Sequence, residues 1–262
     1  MKCNYSRRAA KILHSRIERE YGSDAGRIWK KTLQKYREYA ADAPDYGGDK
    51  SPHKTQIYDS MLLLSFCSIA PKDYRIEDLE DLSFEIFMGS FRALGKVINA
   101  NNGWIMDLLG IVIQKSGDKT NAHGLKYPAD FQAENEPYDK EKHIARYCFT
   151  RCPIADFVKA NNLGKWMPLM CNCDHTALNM IHAGLIREGT CFTGDVCDYC
   201  VLGDQNPLYK EYVLDRNADG LLISRKKTLR MVMKHEDFYF AQHGFAGHLA
   251  EPDGWAFRAP LC

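Results

Sequence analysis

CFTRCPIADFVKANNLGKWMPLMCNCDHTALNMIHAGLIREGTCFTGDVCDYCVLGD, residues 148–204, carries seven of the ten cysteines in less than a quarter of the 262-residue chain. They are Cys148, Cys152, Cys171, Cys173, Cys191, Cys197 and Cys200. Just upstream, Ile144, Arg146, Cys148 and Thr150 alternate with Ala145, Tyr147 and Phe149, a period of two that predicts a strand. Pro153 suits the first position of a helix, which the pattern carries to about residue 162. Residues 165–171 and Asp174–His182 predict two more short helical pieces. Leu185–Phe192 and Val196–Leu202 read as strands joined by a tight hairpin through Thr193-Gly194-Asp195. A two-residue turn at Gly194-Asp195 would set Phe192 opposite Cys197 and Cys191 opposite Asp198. Cys197 and Tyr199 would then share one face, and Cys191, Asp198 and Cys200 the other.

The rest of the chain reads as helical scaffold. Ala9, Ile12, Leu13 and Ile17 recur at helical spacing, and Gly22 stops that helix. Asp24 is placed to cap a second helix carrying Ile28, Trp29, Leu33 and Tyr36. Residues 43–54 are turn chemistry. A third helix spans about 55–70 and ends before Pro71. A fourth is expected over 76–99. A fifth, over 104–115, is apolar nearly all round and belongs inside a bundle. Residues 116–140, with scattered Gly, Pro and Asn, read as a long connection, and 224–242 as a further helix. The expected fold is α+β, a helical N-terminal half packed on a small antiparallel sheet with short helices. Three regions are expected: a helical pair over 1–54, a core over 55–204 and a C-terminal extension over 205–262.

Lys+Arg and Asp+Glu balance at 35 against 34, which gives no electrostatic reason to expect nucleic acid or an anionic membrane as partner. The longest apolar-rich run, Trp104–Ile113, is about half the ~20 residues of a membrane-spanning helix. The first twenty residues hold no signal-peptide core. A cytoplasmic protein with reduced thiols and a small-molecule partner is the expectation.

Cys152 precedes Pro153 at a helix cap, where backbone N–H groups and the helix dipole favour a thiolate. Beside it stands the plainer reading of a buried, inert thiol. Cys171 precedes Asp174, which either caps a helix or moves a proton beside a thiol. His175 and His182 lie two turns apart on one helical face, and each reads first as an ordinary satisfied or exposed histidine. Arg187 is either a surface arginine or a two-pronged carboxylate grip. Cys197-Asp-Tyr-Cys200 has zinc-ligand spacing, but a regular strand sends the two sulfurs apart. A zinc site from Cys152, Cys171 and Cys197 would need those strand ends and caps to converge.

Cys152-Pro153, Leu169-Met170-Cys171 with Asp174, Arg187 with Thr190, and Gly194-x-x-Cys197-Asp198-Tyr199 resemble the L-2-amino-thiazoline-4-carboxylic acid hydrolase family. The resemblance covers about 148–204 and reaches weakly upstream to Ile57-Tyr58-Asp59. The hairpin also resembles the end of small ligand-binding domains known as vinyl reductases. The first resemblance implies a hydrolase opening a cyclic amidine or thiazoline carboxylate at a C–N bond. Cys152 would attack the ring carbon or hold a metal that activates water, with Cys197 and Cys171 next in line. Asp174 would shuttle the proton, while Arg187, Thr190 and Tyr199 would bind substrate. A thiolate mechanism needs no cofactor. The reading from another class is a thiol-rich sensor or carrier of a metal or small ligand, without catalysis.

Overall fold

The computed structural model describes residues 4–227. Helices α1 (Arg7–Tyr21), α2 (Ala25–Ala41), α3 (Lys54–Ile69), α4 (Glu80–Phe87), α5 (Phe91–Leu94) and α6 (Gly103–Gly124) precede strands β1 (Gln132–Asn135) and β2 (Ala145–Arg151). There follow α7 (Pro153–Ala160), α8 (Met167–Cys171), α9 (Cys173–Met180), β3 (Ala183–Ile186), β4 (Cys197–Gly203), α10 (Pro207–Lys210), β5 (Tyr212–Arg216) and β6 (Leu222–Lys226). The main sheet is antiparallel in the order β1-β2-β4-β3, and β5-β6 forms a separate antiparallel pair. This is the expected α+β architecture. No helix among the described residues is long and apolar enough to cross a membrane.

Helix α3 is the centre of the helical half. Every residue from Ile57 to Cys67 is buried, because α1, α2, α4 and α7 pack around it. Ser6 caps α1 by accepting from the Ala9 N–H, and Asp59 on α3 accepts from both the Ser6 N–H and hydroxyl. Ala9, Leu13 and Ile17, one turn apart, then bury the inner stripe of α1. Asp24 stands at the N-cap of α2 without a side-chain capping bond and pairs with Arg27 instead. One buried cluster runs from Ala9 to Leu221, so the helical pair, the cysteine-rich segment and the β5-β6 hairpin share a core.

Several expectations are corrected. The fourth helix is broken into α4 and α5 by Met88-Gly89-Ser90. Gly95 then lies so close to the Met180 carbonyl that a Cβ there would stand 2.3 Å from it, which lets this segment rest on α9. Helix α6 runs on to Gly124 through residues read as a loop, and it is not enclosed. Trp104 (66 % exposed), Leu108, Ile111 and Val112 form an outward stripe at helical spacing. Its inner face is built from glycines: Gly110, Gly117 and Gly124 lie seven residues apart, and a Cβ at each would strike Tyr138, Asn135 and Gln132. They let the chain around β1 lie directly on the helix. The start of the helix expected over 224–242 is in strand β6, and its remainder lies outside the described residues.

The hairpin register is also corrected. Leu185 pairs with Val201 and Ile186 with Cys200, not Phe192 with Cys197. Strand β3 ends at Ile186, and the ten residues to Val196 form a loop. The reason is local: the Asp198 carboxylate accepts the Glu188 and Gly189 N–H groups at 3.0 and 2.6 Å, turning the backbone out of the ladder.

Candidate functional site

A cavity of about 300 Å³ lies between α3, α6 and one face of the main sheet. Its walls include Cys152 at the start of α7, Cys171 at the end of α8, Cys173 and Asp174 at the start of α9, Cys197 and Tyr199 on β4, and Thr190 and Cys191 from the loop. The strand ends and helix caps therefore converge. Cys200, one face over on β4, packs instead with Ile144, Ile186 and Leu202 outside the cavity, so Cys197 and Cys200 do point apart. Cys191 is corrected: the loop brings it to the cavity, where its Sγ–H donates to the Phe149 carbonyl at 3.1 Å.

The polar centre is Asp174. Its Oδ2 accepts from the Tyr199 hydroxyl at 2.7 Å and from Arg187 Nη1 at 3.1 Å. Tyr199 and Cys197 lie two residues apart on β4 and both line the cavity. Tyr147 stacks on Tyr199 with centroids 4.7 Å apart and holds the hydroxyl in place from behind. Burial pushes Asp174 above the usual carboxylate range, against the opposing pull of Arg187 and Tyr199.

Arg187 is not among the residues that line the cavity. It is 0 % exposed, and beyond Asp174 and Tyr199 its guanidinium donates to the carbonyls of Cys171 (3.0 Å) and Leu222 (3.2 Å). Only Nε lacks a partner. Leu222 belongs to β6, so the hairpin helps hold the site from 35 residues away. Asn172 seats that hairpin: its side chain donates to the Gly220 carbonyl and accepts the Leu222 N–H. Thr190, fully buried, spends its hydroxyl on Thr193 at 3.0 Å while still lining the cavity.

The thiols are not activated in the resting protein. Cys152 does cap α7 in extended conformation with Pro153 at the first turn. Yet burial raises it well above the ordinary thiol value, reinforced by Cys171, and the Ala155 N–H opposes this too weakly. The depressed value expected of a helix-cap cysteine is therefore corrected, because desolvation outweighs the cap. Burial likewise raises Cys171, Cys173 and Cys197, and lifts Cys191 to about 12. Of the three named candidates, Cys171 and Cys197 have the Arg187 charge acting to lower them, and Cys152 does not. Among the described residues no three His, Cys, Asp or Glu side chains are grouped to hold a metal ion.

His53 is an unexpected member of the cavity wall. It precedes α3, lines the cavity, and has Nε2 2.7 Å from the Thr120 hydroxyl of α6. Nothing in the turn-rich stretch around it distinguishes it from a loop histidine. His175 is structural: its Nε2–H donates to the Leu222 carbonyl, and burial beside Arg187 lowers its value from 6.5 to about 3. The unfolded chain therefore binds this proton between those values and the folded chain does not. Its contribution to stability is complete above pH 6.5 and is lost on acidification toward pH 3. Urea unfolding from pH 7 downward should lose stability at up to about 1.4 kcal/mol per pH unit from this group. His175→Gln, which can still donate to Leu222, should flatten that slope; an unchanged slope would exclude His175 as its source.

The fold and site together define an α+β protein with a thiol-lined cavity in whose wall Asp174 is tied to a buried arginine. Residues 108–201 match the family model described as L-2-amino-thiazoline-4-carboxylic acid hydrolase, in agreement with the resemblance read from the residues. No curated protein and no solved structure matches the chain.

Proposed function

We propose that the protein is a hydrolase that opens a small cyclic amidine of the thiazoline type at a ring C–N bond. The observation that carries this is the Tyr199–Asp174 hydrogen bond, backed by the Arg187 cation, on the same cavity wall as Cys197 and inside the stretch that matches the family. The amidine carbon, flanked by heteroatoms, is the electron-poor centre. Cys197 Sγ attacks it as its proton passes to the Tyr199 oxygen and the Tyr199 proton passes to Asp174 Oδ2. A buried carboxylate of raised affinity for protons is the better base for that step. The negative charge leaves Asp174 and passes through the attacking sulfur to the ring nitrogen as the C=N pair shifts onto it, while Arg187 holds Asp174 in place.

Asp174 returns the proton to the ring nitrogen as the C–N bond breaks. Water then adds to the same carbon, the Cys197–carbon bond breaks, and the thiol is regenerated. One substrate and one water give one ring-opened carbamoyl product. Cys152 and Cys171 shape the wall in this scheme, and Arg187 acts as a positioning residue.

Incubation with 2-aminothiazolines, followed by mass spectrometry, should show addition of one water to the substrate. Cys197→Ser should abolish it. Undiminished turnover in that variant would sink the nucleophile assignment, and no turnover of any thiazoline by the wild type would sink the hydrolase reading. The second reading, a ligand-binding protein without catalysis, is favoured by one observation: every thiol on the cavity wall is held protonated by burial. It is the reading left standing if thiazolines bind and leave unchanged.

A further inference from the structure

We infer that the ligand of this cavity carries an apolar group, alkyl or aryl, on its ring and not a carboxylate. The choice of cyclic amidines as probes rests on the hydrolase reading; the inference about the substituent rests on the walls.

Among the described residues that line the cavity there is no lysine and no arginine. The nearest cation, Arg187, is fully enclosed, with both terminal nitrogens already bonded to protein oxygens. The one carboxyl among the described residues on the wall is that of Asp174, which would repel a second carboxylate. His53 stands across the cavity, but burial holds it below its ordinary value, and its Nε2 is engaged with Thr120. A carboxylate entering here would lose its hydration and meet no counter-charge.

An apolar group meets the opposite conditions. Phe149 and Phe131 form a tilted pair 5.1 Å apart on the wall, and Phe87, Phe192, Met167 and Met170 extend the surface. Methionines adjust to irregular shapes and aromatic edges. The volume of about 300 Å³ also exceeds what one five-membered ring requires. It matches the lower end of the range for drug-sized ligands, about 300–1,000 Å³.

The test is calorimetric titration of full-length Cys197→Ser protein with 2-aminothiazoline, 2-amino-4-phenylthiazoline and 2-aminothiazoline-4-carboxylate. The wild type is assayed for water addition to the same three compounds. The phenyl compound should bind at least about tenfold more tightly than the carboxylate, since the latter leaves a buried charge unpaired. Equal or tighter binding of the carboxylate overturns the inference, as does failure of all three to bind. The two readings fail separately. Phenyl-selective binding without turnover by the wild type defeats the hydrolase and keeps the apolar ligand. Turnover with preference for the carboxylate keeps the hydrolase and defeats the inference.

Discussion

Replacing Arg187 with methionine should destabilise the protein by about 3–5 kcal/mol, the range for removing one partner of a buried ion pair. The loss has identifiable sources. Asp174 would keep its place in the low-dielectric wall without its cation, and the carbonyls of Cys171 and Leu222 would lose their donor. The β6 end of the hairpin would loosen in consequence. Methionine fills much of the volume, so the deficit is electrostatic and not a cavity. Pairing it with Asp174→Leu should recover most of the lost stability, because the stranded charge is then gone. Chemical denaturation of the single and double variants measures this. A single variant as stable as the parent would mean that Arg187 is not what holds the site together.

Asp174→Asn should lower kcat by about 10²–10⁴-fold, the usual worth of a positioned general acid–base. Asparagine keeps the size and can still accept from Tyr199, but it cannot take the thiol proton. The pH profile separates this from simple damage. Because burial raises Asp174 above 3.8, wild-type activity should fall on acidification through that raised value, and this limb should be missing from the residual activity of the variant. The sign for stability is the reverse. A carboxyl that binds its proton more tightly when folded contributes most below 3.8, and that contribution fades as pH rises through the raised value. An Asp174→Asn enzyme that retained its kcat would remove Asp174 from the chemistry, whatever its effect on folding.

What could be read beforehand follows from how far each signal reaches along the chain. The stripe Ala9–Leu13–Ile17, the Pro153 helix start and the alternation through Cys148 are set by neighbours a few residues away, and each was legible. The convergence of Cys152, Cys171 and Cys197 could be raised from their places at strand ends and helix caps, but only the tertiary fold brings them to one cavity. The glycines of α6 misled because glycine marks a turn and a close approach with the same letter. Their spacing of seven, two helical turns, was the clue that separates the two. The hairpin register failed because Asp198 binds backbone in the loop, which no alternation pattern records. Arg187 resisted prediction because its identity as a buried cation depends on Leu222, a hairpin away in sequence.

Five thiols, Cys152, Cys171, Cys173, Cys191 and Cys197, line one partly open cavity, and burial raises each above the ordinary thiol value. Their sensitivity to oxidants depends on reach as well as on sulfur chemistry: Cys152 and Cys191 are half-buried, while Cys171, Cys173 and Cys197 are buried. Alkylation should therefore take Cys152 and Cys191 first and the other three as the protein breathes, and a bound occupant should slow all five. The cysteine-rich segment thus doubles as an intrinsic gauge of its own enclosure.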